Sequence, residues 1–348
     1  MVKINGSIFE DVISAERLFK AWREFCRGKS DRRDVQEFAR HLERNIFRLQ
    51  RDLASEVFKH SPYTSFYIHD PKQRHIRKAS VRDRIVHQVI YSFIAGVIEP
   101  RLIHDLYSCR IGKGTHAGVD AVSAMALKVS KNMTRPCWAL KCDVRRFYDS
   151  VDHGVLLALI ERLISDKATI RLIHNVLDSF HTEDAPGKGL PIGNLTSQVF
   201  TNVYLNELDK FAKHTLKLRY YARFADDFVM LSDQKGELVA MLPRIQEFLR
   251  DRLKIELHPR KVVLRPLHQG IDFLGYVILP YHRVVRTATK RRMHRNLTAK
   301  LCLLYSGDVT PASFNQSLQS YLGMMSHADT LRLQSEVRNR FCWGGFAP

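Results

Sequence analysis

The segment "RYYARFADDFVMLS" (219–232) constrains the fold more than any other stretch of the chain. Aromatic and β-branched residues flank a short acidic tip at Asp226 and Asp227, which predicts a β-hairpin with adjacent carboxylates at its turn. Two neighbouring carboxylates in an apolar setting repel each other, so the pair persists where water solvates it or a cation neutralises it. From this hairpin alone, an exposed Asp-Asp turn remains the simpler interpretation.

A second predicted strand also ends at an acid. The segment "CWALKCDV" (137–144) is typical of a buried strand that closes on Asp143, and helices flank it. Two strand-end acid sites in one chain indicate carboxylates that gather divalent ions for phosphoryl chemistry. Carboxylate oxygens suit Mg²⁺, so we expect Asp143, Asp226 and Asp227 to be both the catalytic residues and the metal ligands.

The charge balance indicates a polyanionic partner. The 348 residues include 55 Lys and Arg against 36 Asp and Glu, giving a formal net charge of +19, which favours nucleic acid. The longest apolar run (89–98) is about half a bilayer span, so no membrane partner is expected. The N-terminus has no signal-peptide pattern, which predicts a cytoplasmic protein, and the six cysteines form no C-x-x-C pair and are expected to be reduced.

The order of the predicted elements favours an α+β fold over a repeated βαβ unit. A capping box at Ser80 and Asp83 predicts a helix that runs to about Ile98. The other predicted helices cover 14–27, 33–59, 153–165, 167–180, a segment starting near Leu195, 235–253 and most of the chain beyond 286. The other predicted strands lie at 63–70 and near 255–257, 261–265 and 271–278.

Several segments resemble, in order and spacing, the motifs of reverse transcriptases. The palm-like segments are "ALKCDVRRFYDSVDH", "GLPIGNLTSQVFTNVYLNELD", "YYARFADDFVML", "LHPRKVVL" and "GIDFLGYVI". The segments "PKQRHIRKASVRDRIVHQ" and "YSCRIGKGTHAGV" resemble the finger motifs of the group II intron-like branch. One departure is that the usual Tyr-x-Asp-Asp box begins with Phe224, which removes a hydroxyl and leaves both carboxylates.

The resemblance implies a right-hand polymerase fold with an antiparallel palm sheet and a helical thumb. We therefore expect an N-terminal helical extension (1–60), fingers (61–135), a palm with the catalytic motifs and primer grip (136–285) and a short basic thumb (286–348). It also implies an RNA-directed DNA polymerase that uses two Mg²⁺ ions, with Mn²⁺ as a substitute. Its partners would be a template RNA, the RNA–DNA hybrid and deoxynucleoside triphosphates.

The resemblance further assigns roles to residues outside the acid set. These are the fingertip cations Lys72 and Arg74, the finger-loop Arg110, the steric gate Tyr148, the pocket-floor residues Ile192, Gly193 and Gln198, the palm Lys261, and the primer-grip residues Phe273, Leu274 and Gly275. Each has a simpler structural interpretation: a solvated basic turn, a core aromatic residue, a helix cap or a core strand. Those interpretations remain open at this point.

The segment 192–198, Ile-Gly-Asn-Leu-Thr-Ser-Gln, resembles the reverse transcriptases of diversity-generating retroelements more than group II intron or retron enzymes. This resemblance implies error-prone copying at template adenines, targeted mutagenic retrohoming and a small basic helical accessory protein that is oligomeric. One alternative is a stand-alone or abortive-infection-type defence reverse transcriptase. The other is a catalytically inert nucleic-acid-binding protein, which predicts a broken acid set, whereas all three acids are present.

Overall fold

The N-terminal region is a group of helices packed on one long apolar helix. A computed structural model describes residues 8–70 and 72–341. The first helices are α1 (Phe9–Val12), α2 (Ala15–Cys26), α3 (Arg33–Ala39) and α4 (Leu42–Ala54). Helix α2 packs directly on helix α5 (Val81–Ile98) and α4 packs on α2, and Leu18, Trp22 and Ile46 are among the side chains buried by these helices. The N-terminal helices therefore pack on α5 and support it.

The single helix expected over 33–59 is wrong in its continuity and its end. His41 has φ −130° and ψ 44°, outside the helical region, and it separates α3 from α4. The C-terminal end comes at Ala54, after which Glu56 takes a left-handed φ of +56°. Val57, expected on the apolar stripe, is 63% exposed. The apolar periodicity runs across both breaks, so it could not reveal them.

A two-stranded antiparallel ribbon follows, which we call the ribbon: β1 (Thr64–Ile68) and β2 (Arg74–Lys78). The predicted capping box at the start of α5 is confirmed, because the Asp83 backbone N–H donates to Ser80 Oγ at 3.2 Å. Helix α6 (Thr115–Val129) comes next along the chain. The strand predicted over 63–70 is thus present as β1.

The central sheet has four antiparallel strands in the order β4-β5-β3-β6. Its strands are β3 (Trp138–Asp143), β4 (Tyr221–Phe224), β5 (Asp227–Ser232) and β6 (Val263–Pro266). The helices between them are α7 (Phe147–Ser150), α8 (His153–Glu161), α9 (Lys167–Asp178), α10 (Leu195–Lys210) and α11 (Lys235–Leu253). The strand expected near 255–257 is wrong, since Leu257 forms only an isolated bridge with Val144.

Alternate residues of β3 enter two different cores. Leu140 and Cys142 pack into the larger core with the helices around α10, whereas Ala139 joins the core built by α6 and the small sheet. The small sheet is antiparallel, with strands β7 (Ile271–Phe273), β8 (Tyr276–Ile278) and β9 (Arg283–Val285). The central sheet is therefore covered on both faces along most of its length, and its acidic end lies at the margin of the second core.

Three helices complete the described chain: α12 (Thr287–Tyr305), α13 (Pro311–Met325) and α14 (Leu331–Phe341). Met293 and Leu297 of α12 are buried, as the apolar stripe predicted. Asp70, at the end of the ribbon, accepts a hydrogen bond from Asn296 of α12 at 2.6 Å. Its carboxylate also lies 3.6 Å from Arg295 and 3.8 Å from Arg292, so the ribbon tip touches the C-terminal helices.

The mixed α+β prediction is confirmed by these helices and antiparallel sheets. Within the described ranges, none of the helices has the length and apolar character needed to cross a membrane. The described cysteines are free thiols: Cys26, Cys109, Cys137, Cys142 and Cys302. The sixth, Cys342, lies outside the described residues.

Candidate active site

Three carboxylates meet at one end of the central sheet. β3 and β5 are neighbours, and their register places Asp143 directly opposite Asp227. Asp226 occupies the tight turn between β4 and β5, next to Ala225, which has a left-handed φ of +52°. The Val144 backbone N–H donates to the Asp226 carbonyl at 3.3 Å and so ties this turn to the end of β3. The two acid segments predicted from sequence therefore form one site.

Two lysines neutralise part of this charge. Lys261 Nζ lies 2.9 Å from Asp143 Oδ1, which brings the predicted palm lysine to the acids. Lys141 Nζ lies 3.0 Å from Asp227 Oδ2. Sequence reasoning did not single out Lys141, although a lysine inside an apolar strand, two residues before an aspartate and on its face, is a usable signal.

Burial disfavours ionisation of two of the carboxylates, those of Asp226 and Asp227. Burial, reinforced by the charge of Asp143, raises the pKa of Asp226, and the cations Lys261 and Arg74 oppose the shift. Burial raises the pKa of Asp227 to about 6, with Lys141 as the main opposing charge. Asp227 Oδ1 is buried without a hydrogen-bond partner. A nearby cation would stabilise these oxygens.

The donor set fits a divalent cation. Asp143, Asp226 and Asp227 supply oxygen ligands only, as hard divalent ions prefer, and the orphaned Asp227 Oδ1 lacks a partner. Among residues 8–70 and 72–341, no three Asp, Glu, His or Cys side chains already converge as a metal cage. Lys261 and Lys141 form ion pairs with two of the three acids, Asp143 and Asp227. A divalent ion would compete with both ammonium groups for these oxygens.

Arg74 lies on the ribbon side of the acids. It is exposed at the start of β2, and its charge lowers the pKa of both Asp226 and Tyr148. Tyr148 lies in α7, where burial raises the pKa of its hydroxyl and a hydrogen bond with Thr201 opposes the shift. Lys72 is exposed near the end of the ribbon. The structure thus brings Arg74 and Tyr148 towards the acids and leaves Lys72 further out along the ribbon.

The segment before α10 anchors the ribbon. The Arg77 backbone N–H donates to the Ile192 carbonyl at 2.9 Å, and Asn194 Nδ2 donates to the Arg77 carbonyl at 2.8 Å. Gly193 has φ +109°, and a Cβ there would lie 2.8 Å from Ile76 Cγ2, so glycine is required on two counts. Asn194 occupies the N-cap position of α10, but its side chain makes no capping hydrogen bond there.

Gln198 is exposed on α10, one turn into the helix. The segment 271–278 forms a hairpin in which Phe273 pairs with Tyr276. The intervening Leu274 and Gly275 have φ values of +49° and +90°, as a tight two-residue turn requires. Phe273 is buried, and Lys141 Nζ lies 6.0 Å from its ring centroid. The predicted primer-grip segment therefore borders the acid site through Lys141.

Arg110 is bound by groups of the protein itself. Its guanidinium donates to Glu99 Oε1 at 2.7 Å and to the carbonyls of Ile103 and Leu106 at 2.8 and 3.3 Å. The side chain is 11% exposed. These contacts hold the finger loop together, and the structure does not bring Arg110 to the acids. Its contact with nucleotide or template stays a prediction.

A cavity of about 190 Å³ opens beside Asp143. Its lining residues are Ala139, Lys141, Asp143, Arg260, Lys261, Val263, Arg265, Gly270, Ile271 and Asp272. A larger cavity of about 420 Å³ lies elsewhere, among Lys59, Arg171 and His174, and includes none of the predicted site residues. The smaller cavity is the relevant one, because it alone of these two contains a predicted catalytic acid.

Comparisons with known proteins agree with this geometry. The profile of the family "Reverse transcriptase (RNA-dependent DNA polymerase)" matches residues 68–278. Protein YkfC of Escherichia coli is 24% identical over 300 residues, covering 74% of this chain and 78% of that protein. The group II intron-encoded protein LtrA of Lactococcus lactis is 21% identical over 319 residues, which cover 72% of this chain and 51% of LtrA. The chain thus spans only about half the length of LtrA.

A solved structure supports the fold. Apo telomerase from Candida tropicalis, truncated from its C-terminal domain, superimposes with a TM-score of 0.51 at 12% identity. The match covers 67% of this chain and 58% of that chain. At this identity the likeness concerns the fold alone, which is the right-hand polymerase arrangement predicted from the motifs.

Proposed function

The chain belongs to the reverse transcriptase family of RNA-dependent DNA polymerases, and on that premise we propose that it copies a template RNA into cDNA by divalent-ion-dependent nucleotidyl transfer. The observation that carries the proposal is the meeting of Asp143, Asp226 and Asp227 at one end of the central sheet. An inert nucleic-acid-binding protein would have no need to bring three repelling carboxylates together at a largely apolar strand end. The basic composition, with a net charge of +19, suits a nucleic-acid substrate.

We assign the metal ions to the three aspartates, with two Mg²⁺ as the expected complement and Mn²⁺ as a substitute. When bound, such ions activate the attacking oxygen and stabilise the leaving one. Lys261, 2.9 Å from Asp143, is placed to protonate departing pyrophosphate. Arg74 and Lys72 supply positive charge for the triphosphate from the ribbon side, and the fork of Arg74 suits phosphate oxygens.

Tyr148 is our candidate for the residue that excludes a ribose 2′-hydroxyl. Its ring lies in α7 directly after β3, close enough to Asp226 and Arg74 that their charges act on its pKa. Phe273, Leu274 and Gly275 form a tight turn beside Lys141, and we assign this turn to the 3′ end of the growing strand. Ile192, Gly193 and Gln198 are assigned to the floor beneath the new base pair.

Within the family, we propose a diversity-generating reverse transcriptase that makes errors at template adenines during mutagenic retrohoming. The support is the segment 192–198 together with its contacts. Ile192 is bound to the ribbon strand that carries Arg74, so one unit holds both sides of the proposed pocket. A pocket separates right from wrong pairs by shape, and about 1.4 kcal/mol of lost discrimination is a tenfold higher error rate.

The proposal is tested by primer extension on an adenine-containing RNA with Mg²⁺, followed by sequencing of the cDNA. The reaction is run with and without a small basic accessory protein, beside an Asp226→Ala control. Errors concentrated opposite adenine, absent from the control, support the mutagenic role. If the cDNA is faithful, the polymerase proposal stands and the result favours a stand-alone or defence enzyme over a mutagenic one. If neither condition yields cDNA, the inert-binder alternative replaces the proposal.

A further inference from the structure

We infer that the buried ion pair between Arg223 and Asp209 is a positioning device that fixes Asp226 and thereby sets the affinity of the acid site for divalent ions. The inference rests on the proposed function and names residues outside the acid set. Sequence reasoning missed both residues, although an arginine inside the apolar strand β4, three residues before Asp226, is an unusual choice.

The pair is fully enclosed. Both side chains are 0% exposed, and the guanidinium binds the carboxylate through two bonds, Nε to Oδ1 at 2.7 Å and Nη2 to Oδ2 at 2.5 Å. The Tyr221 hydroxyl donates a further bond to Asp209 Oδ1 at 2.7 Å. Such a bidentate arrangement fixes the orientation of the guanidinium plane as well as its position.

The remaining guanidinium nitrogen reaches the catalytic turn. Arg223 Nη1 donates to the carbonyl of Ala225 at 3.0 Å, and the Ala225 N–H donates to Ser108 Oγ at 2.9 Å. Both backbone polar groups of Ala225 are therefore bound from within the fold. Ala225 needs this support, because a φ of +52° is a costly conformation for a residue with a side chain. Asp226 is the next residue.

The pair also joins the two halves of the proposed pocket. Asp209 lies near the C-terminal end of α10, whose N-terminal end follows the segment with Ile192 and Gly193. Arg223 is itself fixed along the backbone, since its N–H donates to the Asp105 carbonyl at 3.0 Å and its carbonyl accepts from the Tyr107 N–H at 2.9 Å. A shift of α10 would therefore pull on the turn through Asp209.

Stability alone does not explain this arrangement. Apolar residues of similar volume often replace a buried ion pair with no loss of stability, because the desolvation of both charges is costly. An apolar side chain at position 223 could not bind the Ala225 carbonyl. The contact that an apolar core would lack is thus the one that holds the catalytic turn.

The test measures Mn²⁺ binding by electron paramagnetic resonance on the folded, nucleotide-free protein, so polymerase activity is not needed for the readout. Arg223→Lys keeps the charge and loses the fork, and we expect the half-saturating Mn²⁺ concentration to rise about 10- to 100-fold, as for other residues that orient metal ligands. Tyr221→Phe keeps the bonds from Arg223 to Asp209 and to the Ala225 carbonyl, and it should change the value less than about threefold, in line with one neutral hydrogen bond.

Tyr204→Phe is the matched control. It removes the 2.5 Å bond from the Tyr204 hydroxyl to the Leu253 carbonyl and the 3.3 Å bond that this hydroxyl accepts from the Asp152 backbone N–H, and neither bond involves the turn at Ala225. This variant should lower Tm and leave Mn²⁺ binding unchanged. The inference fails if folded Arg223→Lys binds Mn²⁺ like the wild type, or if Tyr204→Phe weakens Mn²⁺ binding as much at a similar loss of Tm.

A second variant covers the case in which Arg223→Lys does not fold. Asp209→Asn keeps the side-chain shape and removes the charge that orients the Arg223 guanidinium, and it should raise the half-saturating Mn²⁺ concentration severalfold; wild-type binding there overturns the inference. Primer extension separates the two proposals. If the wild-type protein makes cDNA but the variants bind Mn²⁺ as it does, only the positioning role is refuted. If the variants bind Mn²⁺ more weakly but the wild-type protein makes no cDNA, only the polymerase proposal is refuted.

Discussion

The acid site and the ribbon both border the proposed nucleotide pocket, but the fold holds the acid site more firmly than the ribbon. The acids sit where two neighbouring strands of the central sheet end, over fully buried side chains such as Phe228 and Arg223. The ribbon has two short strands, and β1 is exposed along most of its length. Its described links to the pocket floor are the two Arg77 backbone hydrogen bonds and the contact between Ile76 and Gly193.

The two regions therefore suit different functions, the acid site the chemical step and the ribbon the selection of nucleotides. Chemistry that depends on carboxylate positions needs a support that packing makes rigid, and the central sheet supplies it. Selection among nucleotides needs charge and shape near the substrate but tolerates a compliant support. Substitutions in the two regions should therefore separate the chemical step from nucleotide selection.

The greatest loss of activity should follow the removal of a carboxylate from the acid site. Asp226→Ala should reduce the rate of cDNA synthesis at least about 1,000-fold, because metal coordination contributes several kcal/mol to transition-state stabilisation. Single-turnover primer extension measures the rate, and circular dichroism checks the fold. A folded variant that retains more than a tenth of the wild-type rate would remove Asp226 from the catalytic set.

The second test uses pH on the same rigid site. The pKa of Asp227 is about 6 in the folded protein, above its ordinary value, so the folded state holds this proton more tightly than the unfolded state. Wild-type stability should therefore fall as pH rises from 4 to 7, by up to about 3 kcal/mol relative to Asp227→Asn, which does not titrate. Urea unfolding of both proteins in EDTA measures the difference, which should be flat between pH 8 and 9. A constant difference across pH 4 to 7 would contradict the burial argument.

The third test acts on the junction between the regions. Gly193→Ala adds a Cβ 2.8 Å from Ile76 Cγ2 at a φ of +109°, and should cost about 1–3 kcal/mol of unfolding free energy. The KM for nucleotides should rise more than kcat falls, because the ribbon moves and the acids do not. Gly236→Ala is the control, since its Cβ would meet nothing within 4 Å. Equal effects of the two substitutions would show that the junction does not matter.

The mildest effects should come from two residues of the proposed nucleotide pocket, Arg74 on the ribbon and Ile192 before α10. Arg74→Ala and Ile192→Val should each change the error rate at template adenines about tenfold and change errors at other bases less, because both act on discrimination. Lys78→Ala is the control for Arg74, since Lys78 lies on the same strand and pairs with Asp34 at 2.8 Å. Sequencing of the cDNA gives the error rate at each template base. If these rates are unchanged in both variants, Arg74 and Ile192 do not control fidelity.

Local patterns revealed the acids but not their support. The hairpin at 219–232 and the strand that ends at Asp143 were predictable because apolar strands with an acid at the end are signals within one segment. The pairs Lys141–Asp227 and Arg223–Asp209 join different elements, and their contacts depend on strand register and helix packing that no single segment encodes. The roles assigned to the flanking site residues came from family resemblance and stay predictions.

The helix breaks show a similar limit. The apolar residues of 33–59 keep a helical spacing through His41, and neither glycine nor proline marks the break there. The positive φ of Ala225 was equally hidden, because alanine carries no signal for a left-handed turn residue. In both places tertiary packing decides the backbone conformation against the local preference.

The contact of Asp70 with α12 links the tip of the ribbon to the C-terminal helices. At its other end the ribbon is bound by Ile192 and Asn194. If template RNA lies between the ribbon and α12, it can leave sideways only after the contacts at the tip open. The tip is closed by exposed polar contacts, each worth less than about 1 kcal/mol and weakened by salt. The time for which the protein stays bound to a circular RNA, which has no free end, would then measure how often the contacts of Asp70 with α12 open.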